Sequence, residues 1–130
     1  MPDNDRVLIA GAGPVGCSAA LYLARRGIPV TLIEASVDLP EDLRASTFHP
    51  PTLDMLDDLG VVDQLLEQGI VCPTWQYRDT REGVVANWDL GVLRDDTRHP
   101  YRVQCEQYKL TRIIVAELEK LDNVEIRFRV

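Results

Sequence analysis

The sequence predicts an α/β fold built on a parallel sheet, and three observations carry that prediction. Val7-Leu8-Ile9-Ala10 is an unbroken apolar run, which suits a strand covered on both faces. It passes without a spacer into Gly11-Ala12-Gly13-Pro14-Val15-Gly16 and a helix-forming segment, after which a second run, Val30-Thr31-Leu32-Ile33, ends on Glu34. Far along the chain, Val124, Ile126, Phe128 and Val130 alternate with charged residues as a third strand. Right-handed crossovers between parallel strands then require the spatial order third, second, first.

The glycine turn has a separate task for each glycine. Gly11 allows a tight exit from the strand, Gly13 lets the backbone approach a pyrophosphate, and Gly16 lets the following helix lie close to the strand. Pro14 suits a first helical turn because its missing N–H would have had no use there. The free N–H groups beside it, from Val15 onward, face an anion together with the positive end of the helix dipole. The helix is expected from Pro14 to Arg26, with small residues Cys17, Ser18, Ala19 and Ala20 where it crosses the strand. Leu21, Leu23 and Ala24 form its apolar face, and Gly27 is its stop. Glu34 stands about 20 residues beyond the glycines, where an acid accepts hydrogen bonds from a ribose 2′-OH. Strand, glycines, helix, strand and acid together read as a nucleotide-binding unit.

Beyond Glu34 the chain departs from a simple dinucleotide-binding pattern. Ala35 to Pro51 reads as a loop containing Pro40, Arg44, His49, Pro50 and Pro51. Leu53, Leu56 and Leu59 then share one face of a helix from Thr52 to Leu59, ended by Gly60, and a second helix runs from Val62 to Gln68 before Gly69. From Ile70 the period changes. Thr74 to Arg78 and Val84 to Trp88 flank a five-residue turn, Asp79 to Gly83, and form a hairpin. Trp75 and Trp88 either line a substrate pocket or pack across the hairpin, and cross-strand packing is the favoured reading. Asp89 to Pro100 reads as loop, and Tyr101 to Cys105 as a short extended segment. Glu106 to Lys120 reads as a helix whose inner face carries Leu110, Ile113, Ile114, Leu118 and Leu121.

Composition narrows the function classes. A chain of 130 residues is about one domain, and 45% hydrophobic residues argue for a globular core. The net charge of −7 excludes a phosphate-backbone or anionic-membrane surface, so neither nucleic acid nor membrane is an expected partner. The opening Met1-Pro2-Asp3-Asn4-Asp5-Arg6 has no basic segment followed by an apolar run, and no apolar stretch approaches a membrane span, so a cytoplasmic location is expected. Cys17, Cys72 and Cys105 have neither zinc-ligand nor disulfide-framework spacing and read as small buried or half-buried residues. His49 has no partner at motif spacing and receives no role. No catalytic side chain and no metal ligand set are expected.

Three stretches carry a family resemblance: Gly11-Ala-Gly-Pro-Val-Gly16 with Glu34; Arg44-Ala-Ser-Thr-Phe-His-Pro-Pro-Thr-Leu-Asp-Met-Leu-Asp-Asp-Leu-Gly60; and Gln104-Cys-Glu-Gln107-Tyr-Lys-Leu110. In this order they resemble the N-terminal part of the flavin-dependent aromatic hydroxylases of the para-hydroxybenzoate hydroxylase type, the single-component FAD monooxygenases. The resemblance implies a Rossmann-like FAD-binding sheet with an inserted helical and β-hairpin excursion, residues 70–103 leading towards a substrate domain. It implies that the turn Gly11, Gly13, Pro14, Val15 and Gly16 holds the FAD pyrophosphate and that Glu34, with Ala35 beside it, meets the adenosine ribose. Arg44 would reach back to the cofactor, and Gln107 would hydrogen-bond the ribityl chain or a nearby phosphate. In such enzymes NAD(P)H is the transient electron donor, O2 supplies the oxygen atom, and a small aromatic compound receives it; the protein positions and shields the flavin.

Two other readings share the fingerprint. A NAD(P)-dependent dehydrogenase or reductase uses the same turn, but its third strand would follow soon after Glu34. A noncatalytic nucleotide-binding fragment also fits, because the family's later motifs would lie beyond Val130. On that ground the 130 residues alone are expected to be inactive. Their first strand is expected to expose an outer edge that promotes aggregation or pairing with a second copy, a homo-oligomer.

Overall fold

The computed structural model describes residues 5–130; Met1 to Asn4, part of the opening segment read for a leader, lie outside the described residues. In chain order the elements are β1 (Val7–Ala10), α1 (Pro14–Ala24), β2 (Val30–Glu34), β3 (Thr47–Phe48), α2 (Pro50–Asp58), α3 (Val62–Gln68), β4 (Ile70–Cys72), β5 (Thr74–Asp79), β6 (Gly83–Asp89), a 3₁₀ turn (Leu90–Leu93), β7 (Arg102–Gln104), α4 (Gln107–Leu118) and β8 (Val124–Phe128). They fall into two compact units, residues 5–45 with 106–130 and residues 46–105.

The first unit is α/β. Its sheet has the order β1-β2-β8 with both pairings parallel, Val7 opposite Val30 and Val30 opposite Val124. This is the expected spatial order. Helices α1 and α4 pack on each other and bury Cys17, Ala20, Leu21, Ile113, Ile114 and Leu118, while Val30 and Leu32 are buried from the sheet. Covering on both faces is realised at β2 and not at β1. Among the described residues β1 pairs with β2 alone and Leu8 is 65% exposed, which is the open outer edge expected from the order third, second, first. Arg6 ties the start of this unit to β2, donating from Nη2 to the Val30 carbonyl at 2.6 Å and from Nε to Thr31 Oγ1 at 3.0 Å. Helix α1 ends two residues short of the expected Arg26, and Gly27 takes the left-handed conformation after it with φ +79°. Helix α4 likewise ends at Leu118, before Lys120, and Leu121 is half-buried.

The second unit combines the helices α2 and α3 with an antiparallel sheet of order β3-β7-β4 and the separate hairpin β5-β6. Two of these strands correct the sequence reading. Thr47–Phe48 lies inside the expected loop and Ile70–Cys72 precedes the expected hairpin; at two and three residues, neither is long enough to show a period. Helix α2 begins at Pro50 and not at Thr52, because both prolines occupy its first turn, where no N–H is needed. The expected five-residue turn is tighter: Asp79 pairs with Gly83, leaving Thr80 to Glu82 as the loop, and Gly83 has φ +78°. Trp75 stands opposite Trp88 across the hairpin with ring centroids 4.3 Å apart, so cross-strand packing is present. No helix among the described residues is long and apolar enough to cross a membrane.

Candidate functional site

The turn after β1 is held in shape by its neighbours. Gly11 has φ +100°, which glycine adopts without strain, and its N–H donates to the Ile33 carbonyl at 2.7 Å. A Cβ on Gly16 would stand 2.0 Å from the Gly11 carbonyl oxygen, so helix and turn approach more closely than any other residue would allow. Gly13 is different. Its backbone is extended, with φ −77°, and a Cβ there would meet nothing within 4 Å. Gly13 therefore keeps space open in front of the turn.

Helix α1 starts at Pro14, and no side chain caps it. The Val15 and Gly16 N–H groups of its first turn are left for an external acceptor, at the positive end of the helix dipole. Val15 itself is 82% exposed.

Glu34, the last residue of β2, closes the turn from the opposite strand. Its Oε2 accepts the Ala12 N–H at 2.8 Å and its Oε1 accepts the Ser36 N–H at 2.9 Å. These two backbone donors, Ser36 first and then Ala12, hold the carboxyl below its ordinary value, so it is ionised and acceptor-only at neutral pH. One buried thiol lies behind the turn. Cys17 donates to the Ala12 carbonyl at 3.3 Å, and burial, reinforced by the Glu34 charge, pushes its pKa up to about 12. It is a small packing residue and not a nucleophile.

In front of these groups lies a cavity of about 290 Å³. Gly13, Pro14, Glu34, Arg44 and Gln107 line it, five of the residues expected from sequence. The other four do not. Gly11 and Gly16 shape the turn from behind, Val15 presents its N–H, and Ala35 is exposed just past β2. The Arg44 side chain is 77% exposed and pairs with Asp42, Nη2 to Oδ2 at 2.8 Å, so an incoming anion would compete with that carboxylate. Gln107 opens α4. Its N–H donates to the Ala45 carbonyl at 3.0 Å, and no hydrogen bond holds its side-chain amide among the described residues. Ala12, Ser36, Asp42, Tyr108 and Thr111 also line the cavity and were not expected. Thr111 could have been found from its one-turn spacing to Gln107, whereas Tyr108, the next residue along the helix, and Asp42, in a loop without a period, could not.

A uncapped helix start, a glycine turn and an anchored carboxylate around one cavity are what a nucleotide diphosphate needs. A model of the family described as "FAD binding domain" matches residues 4–130. The chain belongs to the FAD-binding domain family. Among its relatives, para-nitrophenol 4-monooxygenase of Pseudomonas sp. (strain WBC-3) is 36% identical over 128 residues, which cover 98% of this chain and 32% of that protein. The 6-hydroxy-3-succinoylpyridine 3-monooxygenase HspB of Pseudomonas putida is 37% identical over 128 residues, covering 98% and 33%. In three dimensions the chain matches the crystal structure of p-nitrophenol 4-monooxygenase PnpA from Pseudomonas putida DLL-E4 with a TM-score of 0.90 and 34% identity, covering 96% of this chain and 32% of that one. The chain thus spans about a third of the length of the curated relatives it matches. These family members are monooxygenases, in line with the hydroxylase reading of the sequence and not with the nicotinamide-dehydrogenase alternative.

Proposed function

We propose that this chain is the FAD-binding part of a flavin-dependent monooxygenase acting on a small aromatic compound, with a Rossmann-like sheet carrying the cofactor site. The observation that carries this reading is the Glu34 carboxylate drawn onto the Ala12 N–H, because it sets an ionised acceptor beside an uncapped helix start around one cavity. The residues present fit the group. Gly13 leaves open the space that a Cβ would fill, and the Val15 and Gly16 N–H groups supply donors for a diphosphate.

Within this reading Glu34 keeps lone pairs for the adenosine ribose hydroxyls, with Ala35 following it along the chain. Arg44 exchanges Asp42 for a phosphate, to which its planar fork offers paired charge-assisted hydrogen bonds. Gln107 offers its side-chain amide to the ribityl chain. Bound FAD, reduced by NAD(P)H, would supply the chemistry that moves one oxygen atom from O2 to an aromatic ring. The residues of this chain bind and orient it; none of them is assigned a proton transfer. Residues 70–103 are the β excursion that leads towards a substrate domain, and turnover belongs to a protein of the relatives' length.

Purified protein tests this directly. Cofactor released by denaturation should show the absorbance of FAD, and NAD(P)H oxidation by the relatives-length protein should rise on adding a phenolic substrate. A colourless protein that takes up NAD and ignores FAD would overturn the proposal.

A further inference from the structure

The cavity in front of the glycine turn is charged in a way that the cofactor reading leaves unused. Of the described residues lining it, Glu34 and Asp42 are carboxylates and Arg44 alone is a cation, an acidic balance for a space that is to receive an anion. We infer that Asp42 is a specificity-determining residue of this site: it admits a dinucleotide, whose diphosphate is esterified at both ends, and disfavours a mononucleotide that ends in a free phosphate. The inference rests on the cofactor reading and concerns which adenosine diphosphates the site accepts.

The carboxylates around the loop after β2 have different partners, and Asp42 is the one aimed at the cation. Glu34 is committed to the Ala12 and Ser36 N–H groups. Glu41 pairs with Arg112 of α4, which ties the loop to that helix. Asp42 Oδ2 lies 2.8 Å from Arg44 Nη2, and the Arg44 N–H donates to the Asp42 carbonyl at 3.0 Å, so a local backbone contact holds the pair together. Bringing Arg44 onto a phosphate therefore brings the Asp42 charge close to the same phosphate. A diphosphate esterified at both ends carries two negative charges. ADP carries about three at neutral pH, because the second ionisation of a phosphate monoester lies near about 6. The helix start and Arg44 serve the two ligands alike. Only the additional charge on the terminal phosphate meets extra repulsion from Asp42. At an exposed position that repulsion is partly screened, so it grades affinities instead of excluding a ligand outright.

Calorimetric titration of the full chain with ADP-ribose and with ADP, at low salt, tests this, because the two share adenosine diphosphate and only ADP has the free terminal phosphate. The parent should bind ADP-ribose more tightly than ADP at neutral pH. Asp42→Asn should raise ADP affinity about five- to tenfold and ADP-ribose affinity at most about threefold, the smaller gain coming from release of Arg44. Asp42→Glu, which keeps the charge, should keep the parent's preference. At about pH 5 the terminal phosphate of ADP loses its second charge, so the gain for ADP should shrink to that for ADP-ribose. Equal gains for the two ligands at neutral pH, or no gain for either, would overturn the inference. So would a gain for ADP that persists undiminished at the lower pH, or loss of the preference in Asp42→Glu. A chain that binds FAD and ADP-ribose but shows no such shift overturns this inference alone, whereas a chain that binds none of the three ligands removes the cofactor reading and this inference with it.

Discussion

The glycine-turn unit and the 46–105 unit each hold a carboxylate that accepts two backbone N–H groups, and the two do different work. Glu34 reaches from β2 to Ala12 across 22 residues of chain, so its charge is built into the parallel sheet and its turn. Asp79 accepts the Arg81 and Glu82 N–H groups at 2.7 and 3.0 Å, all within its own hairpin loop. The same contrast holds for packing. In the first unit β2 is buried between neighbours, whereas the hairpin β5-β6 is exposed along nearly its whole length. A site assembled from long-range contacts is coupled to the stability of its unit, and one assembled within a loop is not.

Two glycine substitutions test that contrast first, because they should have the largest effects. Gly16→Ala places a methyl group 2.0 Å from the Gly11 carbonyl oxygen, a backbone atom that cannot rotate away. Alanine's better helix propensity offsets about 1 kcal/mol, yet the loss should still exceed about 3 kcal/mol by urea denaturation. Gly69→Ala, in the other unit, meets Val103 Cγ1 at 2.5 Å. A valine methyl can shift a little, so about 1 to 3 kcal/mol is expected, less than for Gly16. The reverse order would mean that the turn after β1 is softer than its geometry says.

Glu34→Gln comes next, at about 1 kcal/mol, since the two N–H groups lose a charged acceptor in a half-buried place. The folded carboxyl lies below its ordinary value of 4.5. Its contribution is therefore present above pH 4.5, where the unfolded group is also ionised, and is lost as pH falls through the lower folded value. Parent and variant should differ near pH 7 and converge in acid; a constant gap down to pH 2 would contradict the Ala12 and Ser36 assignment. Asp79→Asn should be the smallest change, because the group is fully exposed and its partners are local, leaving the urea midpoint where it was.

The contrast also explains what could be read from sequence. Val7 to Gly16 and Val30 to Glu34 declare themselves because a strand, a turn and an acid at fixed spacing are set by local backbone needs. The order β1-β2-β8 followed from handedness alone. The same order sets β1 at the edge, whereas its apolar run, which suited covering on both faces, did not announce the exposure of Leu8. Thr47–Phe48 and Ile70–Cys72 were missed because two or three residues show no period. Of the residues lining the cavity, Glu34 followed from its spacing to the glycines and Arg44 and Gln107 from the family resemblance, whereas Ser36 and Asp42, in the loop after β2, carried no such signal.

The central claim, that the space in front of the glycine turn receives the FAD diphosphate, is tested most directly by Gly13→Ala. In the protein alone a Cβ there meets nothing within 4 Å, and the backbone at φ −77° suits alanine, so the urea midpoint should not fall. With FAD in place the same methyl group would occupy the close approach to the pyrophosphate. FAD titration followed by flavin fluorescence should therefore show affinity lowered by about tenfold or more in a variant of unchanged stability. A stable Gly13→Ala chain that binds FAD as tightly as the parent would contradict the account.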